Sequence, residues 1–226
     1  MSGLRVALLD DHQLLSQALA AALAAVGHRP ELPALSTSPD DAALVAELAS
    51  QPPDVVVLDL HLGARDPAGG DRLLRRLAPA VPVLVLTAEE DPARWGRCLR
   101  AGARGVVSKQ RPLPDVVSAV ERAAAGADLH TPAQRAALLH AAAAADRALA
   151  PFRSLTPREQ AVLDALVDGV PAADIARDAC VSEATVRTQI RAVLTKLGVR
   201  SQLAAAAAAR RAGFIDFDDD RMRRRA

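Results

Sequence analysis

Leu4-Arg5-Val6-Ala7-Leu8-Leu9-Asp10-Asp11 opens the chain with an apolar run that ends on two carboxylates, and Val55-Val56-Val57-Leu58-Asp59 repeats that arrangement further on. Two more runs follow, Val81-Pro82-Val83-Leu84-Val85-Leu86 before Thr87 and Gly105-Val106-Val107 shortly before Lys109. Short continuous apolar runs read as strands buried on both faces, and the stretches between them carry helical spacing. The alternation predicts a parallel sheet covered by helices on both sides, with ligands bound beyond the carboxyl ends of its strands. Asp10, Asp11, Asp59, Thr87 and Lys109 should therefore gather at one site.

The intervening segments support this reading. His12 to Val26 has an amphipathic pattern that stops at Gly27, a favoured residue just past a helix end. Further helices are expected at Asp40–Ser50, Asp71–Leu77, Asp91–Ala101 (interrupted by Gly96) and Leu113–Ala125. Pro30-Glu31-Leu32-Pro33-Ala34-Leu35 is a poor strand because of its prolines, which a sheet tolerates at an edge. A doubly wound α/β sheet of strand order 2-1-3-4-5, a (βα)5 arrangement, puts its second strand there.

At 226 residues the chain suits one large or two small domains. Half of it is apolar and its net charge is +1, which excludes a disordered or strongly basic protein. The first 125 residues are slightly acidic and the remainder slightly basic, a weak pointer to a polyanionic partner for the second half. Cys98 and Cys180 lie in different halves, imply no disulfide framework, and read as small core residues. No apolar run approaches the roughly 18 residues a bilayer requires, and no leader pattern opens the chain. A cytoplasmic protein without a membrane partner is expected.

After about Gly126 the character changes. Thr131-Pro132 opens an alanine-rich helical stretch expected to end near Ala150, before Pro151. Thr156-Pro157-Arg158-Glu159 is a capping box with proline at the first helical position. That helix should stop at Gly169 and be followed by a short helix, Ala172–Ala179. After a tight turn, Ser182 caps a longer helix, Glu183–Leu197, closed by Gly198, and a last helix spans about Ser201–Gly213. The short-turn pair in the middle is a helix-turn-helix unit. The end of the chain, from Asp216, segregates its charges and reads as a disordered tail.

The acidic cluster suits phosphoryl transfer to a carboxylate, which needs an in-line nucleophile and neutralisation of the phosphoryl oxygens. Asp59 is the candidate nucleophile. Asp10 and Asp11 would repel it unless a hard divalent cation, Mg2+ or Mn2+, lay among them. Asp11 and Asp59 would bind that ion directly, Asp10 through water, and the backbone carbonyl of His61 would add a ligand. Lys109 would neutralise one phosphoryl oxygen and Thr87 would donate to another. Taken singly, Asp10 and Asp11 could instead cap the first helix, and Asp59 could be an ordinary strand-end acid.

Residues 4–125 resemble the receiver domain of two-component response regulators. The resemblance is carried by Leu9-Asp10-Asp11-His12, Val57-Leu58-Asp59-Leu60, Leu86-Thr87-Ala88 and Ala101-Gly102-Ala103-Arg104-Gly105-Val106-Val107-Ser108-Lys109. It implies that a sensor histidine kinase phosphorylates Asp59, that Thr87 moves toward the phosphate, and that an aromatic on the last strand turns inward. The chain departs from the pattern at that aromatic, which is Val106, and in the loop His61–Gly70, which lacks the usual early Pro-Gly.

On the helix Glu183–Leu197, Arg187, Thr188 and Arg191 share one side, while Val186, Ile190, Val193, Leu194 and Leu197 form the apolar side. The second helix of such a unit enters the major groove, where arginine pairs well with guanine. Ser182, Thr185, Gln189, Lys196 and Arg200 suit phosphate contacts. Residues 155–213 resemble the LuxR-type (NarL/FixJ-like) DNA-binding domain through Leu155-Thr156-Pro157-Arg158-Glu159, Asp174-Ile175-Ala176, Val181–Ile190 and Lys196-Leu197-Gly198-Val199-Arg200-Ser201. That family usually has lysine where Arg187 stands, and it dimerises through its last helix, here Leu203 and the run Ala204–Ala209.

The expected organisation is a receiver over 1–125, a helical linker over 126–150, a helix-turn-helix domain over 151–215 and a charged tail over 216–226. The expected function is transcription control by a homodimer that binds double-stranded DNA and engages the transcription machinery. One rival is a phosphorylation-independent regulator whose receiver serves dimerisation or ligand sensing. Another is a metal-dependent phosphatase with an aspartyl nucleophile, disfavoured because His61 stands where such enzymes carry a second acid.

Overall fold

The β-branched and leucine runs form five parallel strands in a computed structural model that describes residues 3–33, 42–62, 69–212 and 214. The chain divides into two compact units, Met1–Ala142 and Ala143–Ala226.

In the first unit the order is β1 (Arg5–Leu9), α1 (Gln13–Ala25), β2 (Arg29–Glu31), α2 (Ala42–Ser50), β3 (Val55–Leu58), α3 (Gly69–Leu77), β4 (Val83–Thr87), α4 (Pro92–Arg100), β5 (Gly105–Ser108) and α5 (Leu113–Ala124). All strand pairs are parallel and the sheet order is β2-β1-β3-β4-β5. The short proline-bearing β2 occupies an edge, where the missing N–H of Pro30 costs little.

Alternation along the strands divides the core. Ala7, Leu9, Val56, Leu58, Val83, Val85 and Val106 face one layer, with Leu44, Leu48, Leu73, Leu74, Cys98 and Leu99. Val6, Leu8, Val55, Val57, Leu84, Leu86 and Val107 face the other, with Leu19, Leu23, Val116 and Val120. The period of two places successive side chains on opposite faces, and both faces are dry. The strand ends are thereby fixed, and the polar residues that follow them are carried to one edge.

α4 runs through Gly96 without interruption, contrary to the expected break. A Cβ at Gly96 would fall on the Leu138 carbonyl oxygen and stand 2.8 Å from the Ala142 Cβ, so the missing side chain serves a close approach by another helix. That helix, α6 (Pro132–Arg153), opens with a reciprocal cap: Gln134 N–H donates to Thr131 Oγ1 and Thr131 N–H to Gln134 Oε1. Its residues as far as Ala142 belong to the first unit, with Leu138 and Leu139 packed on the core and Ala142 fully buried.

α6 also continues through Pro151 to Arg153, beyond the end that the proline suggested. Proline forfeits one backbone donor, a loss that matters least in a final turn anchored by packing. Leu149 and Phe152 supply that packing within the second unit, Phe152 stacking on Phe214 with ring centroids 4.8 Å apart.

The second unit adds α7 (Pro157–Val167), α8 (Ala172–Asp178), α9 (Glu183–Leu197) and α10 (Gln202–Arg211). The capping box at Thr156 and Glu159 forms as read, and Ser182 accepts from the Thr185 N–H at the head of α9. Leu163, Val167 and Val193 pack with Ala205 and Ala209, whereas Val162, Leu166, Ile175, Val186 and Ile190 form a second cluster. The turn between α8 and α9 carries Cys180 at a φ of 52°, exposed, which corrects its assignment to the core. The tight turn lifts that side chain to the surface. Cys98 is buried as expected, and burial pushes its thiol up to about 11. The tail from Asp216, the first two residues of the expected second helix (Asp40 and Asp41) and most of the loop after His61 lie outside the described residues.

Candidate functional site

β1 and β3 are neighbours in register, Leu9 opposite Leu58, so Asp10 and Asp59 leave the sheet side by side. Ligand atoms of Asp10, Asp11, His12 and Asp59 all lie within 4.8 Å of one another. Lys109, just past β5, reaches across: its Nζ is 2.7 Å from Asp10 Oδ2 and 2.7 Å from Asp59 Oδ2. Burial alone would lower the Lys109 pKa, but hydrogen bonds to Asp10 and Asp59 outweigh it and hold the ammonium above its ordinary value. The lysine is a fixed cation.

Asp59 is 2% exposed, and its Oδ1 is a buried side-chain oxygen without a hydrogen-bond partner among the described residues. A buried carboxylate oxygen left unpaired is costly, and its presence marks a place for a ligand. The donors around it are carboxylate oxygens, which suit a hard divalent cation. The acidic cluster is compatible with such a metal site.

Asp10 Oδ1 accepts from the His12 N–H at 2.8 Å and holds the turn after β1. The N-cap of α1 is His12, without a side-chain cap, so the alternative role of Asp10 and Asp11 as helix caps is not adopted. Thr87, fully buried, ends β4; its Oγ1 accepts from the Glu89 N–H and its carbonyl accepts from the Lys109 N–H. His61, exposed, stands two residues beyond Asp59.

Sequence reasoning passed over His12. Its Nδ1 lies 3.0 Å from Asp11 Oδ1, 3.8 Å from Asp59 Oδ2 and 3.5 Å from Lys109 Nζ. Its position directly after the two aspartates was the available signal. Trp95, half-buried on α4, donates its Nε1–H to the Glu89 carbonyl at 2.6 Å.

In the second unit, α9 turns Val186, Ile190 and Val193 inward and leaves Ser182, Thr185, Arg187, Thr188, Arg191 and Arg200 exposed, with Gln189 half-buried. Arg187 Nη2 pairs with Glu183 Oε2 at 3.0 Å one turn away. Lys196, expected to contact phosphate, donates its Nζ to Glu159 Oε2 at 2.6 Å and to the Ser154 carbonyl. The hydrogen bond from Lys196, followed by that from the Thr156 backbone, holds the Glu159 carboxyl below its usual range. The lysine ties α9 to the head of α7.

Residues 6–121 match the response regulator receiver domain, and residues 153–209 match the bacterial regulatory proteins of the luxR family. The chain is 30% identical over 212 residues to the probable transcriptional regulatory protein NarL of Mycobacterium tuberculosis, covering 94% of this chain and 96% of that one. It is 31% identical over 206 residues to the DNA-binding transcriptional activator DevR/DosR of the same organism, covering 89% and 92%. A two-component response regulator of the LuxR family from Aurantimonas sp. SI85-9A1 shares its fold, with a TM-score of 0.51 and 24% identity over 62% of this chain and 97% of that one. The chain belongs to the NarL/FixJ-type response regulators, transcriptional regulators that join a receiver to a LuxR-type DNA-binding domain. No helix among the described residues is long and apolar enough to cross a membrane.

Proposed function

We propose that the protein is a phosphorylation-controlled transcription regulator in which Asp59 accepts a phosphoryl group from the phosphohistidine of a sensor histidine kinase. The observation that carries this reading is the unpartnered, buried Asp59 Oδ1 beside a fixed ammonium. Asp59 forms the new P–O bond as the P–N bond breaks, and the departing imidazole is neutralised by a proton. Lys109 releases Asp59 Oδ2 and takes a phosphoryl oxygen, while Thr87 turns its hydroxyl from the Glu89 N–H toward another. Asp10, Asp11, Asp59 and the His61 carbonyl would hold a hard divalent cation, Mg2+ or Mn2+, which would supply further neutralisation of that charge.

The second unit supplies the output. Arg187, Thr188 and Arg191 read base edges in the major groove, and Ser182, Thr185, Gln189 and Arg200 contact phosphates. Lys196 joins them only by leaving Glu159. A homodimer on double-stranded DNA would read half-sites about one helical turn apart and present the transcription machinery with a fixed geometry. Exposed Leu203 on α10 suits that contact, whereas Ala205 and Ala209 are used in the core. DNA as partner places the protein in the cytoplasm. The domain limits that fit this function are a receiver over 1–125, a linker helix and a reader from 151.

The test is labelling by acetyl phosphate. Wild type should gain one phosphoryl group and Asp59→Asn none; undiminished labelling of the variant refutes the acceptor. A second reading, control without phosphorylation, is favoured by Val106 at the position of the family's moving aromatic. A beryllofluoride complex that leaves DNA affinity unchanged would establish it.

A further inference from the structure

Val106 is buried in the core, so the strand β5 offers no aromatic to carry a signal outward. Another aromatic stands at the same edge. Thr87 Oγ1 accepts from the Glu89 N–H at 3.1 Å, and the Glu89 carbonyl accepts from Trp95 Nε1 at 2.6 Å. Glu89 is held from a second side, where its carboxylate lies 3.5 Å from Arg94 Nε. The Trp95 ring is 6.4 Å from the His130 ring, centroid to centroid, and His130 Nε2 accepts the Val106 N–H at 3.1 Å.

Beyond His130 the chain enters the first half of α6, which rests on α4 at Gly96 and follows the contact of Leu129 with Gly105 on β5. A Cβ at Gly105 would stand 2.7 Å from the Leu129 Cβ. The Gly96 contact is with helix backbone, and at Gly105 the Leu129 side chain fills the space a Cβ would take. An interface packed in this way is seated or unseated rather than gradually deformed.

We propose that Trp95 is the positioning residue through which the state of Thr87 reaches residues 129–142, the role that Val106 is unable to fill. The proposal rests on Asp59 being the phosphoacceptor, as argued above. When the Thr87 hydroxyl turns to a phosphoryl oxygen, the Glu89 N–H loses its acceptor and the loop after β4 shifts. Trp95, bonded to the carbonyl of that same residue, moves with it. Its ring then no longer supports His130, and the first half of α6 is released from α4 and β5.

Trp95 is the single tryptophan and the chain has no tyrosine, so its emission reports this position alone. The experiment uses the full chain with Mg2+ and beryllofluoride, followed by tryptophan emission and by amide hydrogen exchange of 129–142. Labelling of Asp59 by acetyl phosphate is measured in parallel. Wild type should show a red-shifted emission and exchange in 129–142 faster by about 5- to 150-fold, the usual span for coupled sites. Trp95→Phe keeps a ring but lacks the N–H; it should be labelled like wild type and lose that acceleration. Labelled wild type with unchanged emission overturns the proposal while leaving the acceptor assignment standing, as does a Trp95→Phe protein that keeps the full acceleration. Wild type that takes no label overturns both.

Discussion

Gly96→Ala separates two opposed expectations about α4. In an isolated helix the substitution would stabilise by about 1 kcal/mol, because glycine is a poor helix former. Here the added methyl would land on the Leu138 carbonyl and against the Ala142 Cβ, a collision with backbone that no rotamer change relieves. Overpacking of this kind costs roughly 1–3 kcal/mol, which favours the undocked arrangement of residues 132–142 by about 5- to 150-fold. α4 itself becomes a better helix. Amide exchange followed by mass spectrometry should therefore quicken over 132–142 and stay level or slow over 92–100. Slower exchange in both segments would show that propensity wins, and that the close approach at Gly96 does not hold α6 in place.

Lys109→Ala leaves the buried Asp59 facing the half-buried Asp10 without a cation; urea unfolding in metal-free buffer should show a loss of about 3 kcal/mol, typical of breaking a buried pair. Added Mg2+ should restore more stability to that variant than it adds to wild type. Burial, with Arg135 and Arg122 nearby, lowers the His130 pKa from 6.5, so the unfolded chain binds its proton first. The contribution of His130 is thus full above about pH 6.5 and is lost as pH falls through the lowered value; the wild-type stability difference from His130→Gln, measured against pH, should shrink in that direction. Thr156→Ala removes the α7 cap and should cost about 1 kcal/mol in thermal unfolding. Arg187→Ala should weaken binding to a selected DNA site by roughly 1–3 kcal/mol and relax preference at one base pair, read by competition titration.

The sheet and the acidic cluster were legible because both rest on local signals. Runs such as Val55–Leu58 are apolar throughout, and topology then places whatever follows them at one edge. Tertiary contacts were not legible. Gly96 looked like a helix breaker because its partner, Leu138, lies in a segment whose alanine content suggested little packing. Pro151 looked like a stop because the anchoring of Phe152 on Phe214 has no local trace. Lys196 read as one more basic residue on the reading helix, and its bond to Glu159 spans 37 positions. Cys180 read as a core residue, since its left-handed backbone follows from the geometry of the turn and not from its chemistry.

The central claim is that a phosphoryl charge on Asp59 is felt by the helix that reads DNA. Its most direct measurement is the affinity of the full chain for a selected DNA site, titrated with and without Mg2+ and beryllofluoride, in wild type and in Asp59→Asn. Wild type should change its affinity on forming the complex and the variant should not. Equal responses in the two proteins, or none in a wild type that binds beryllofluoride, would contradict the account.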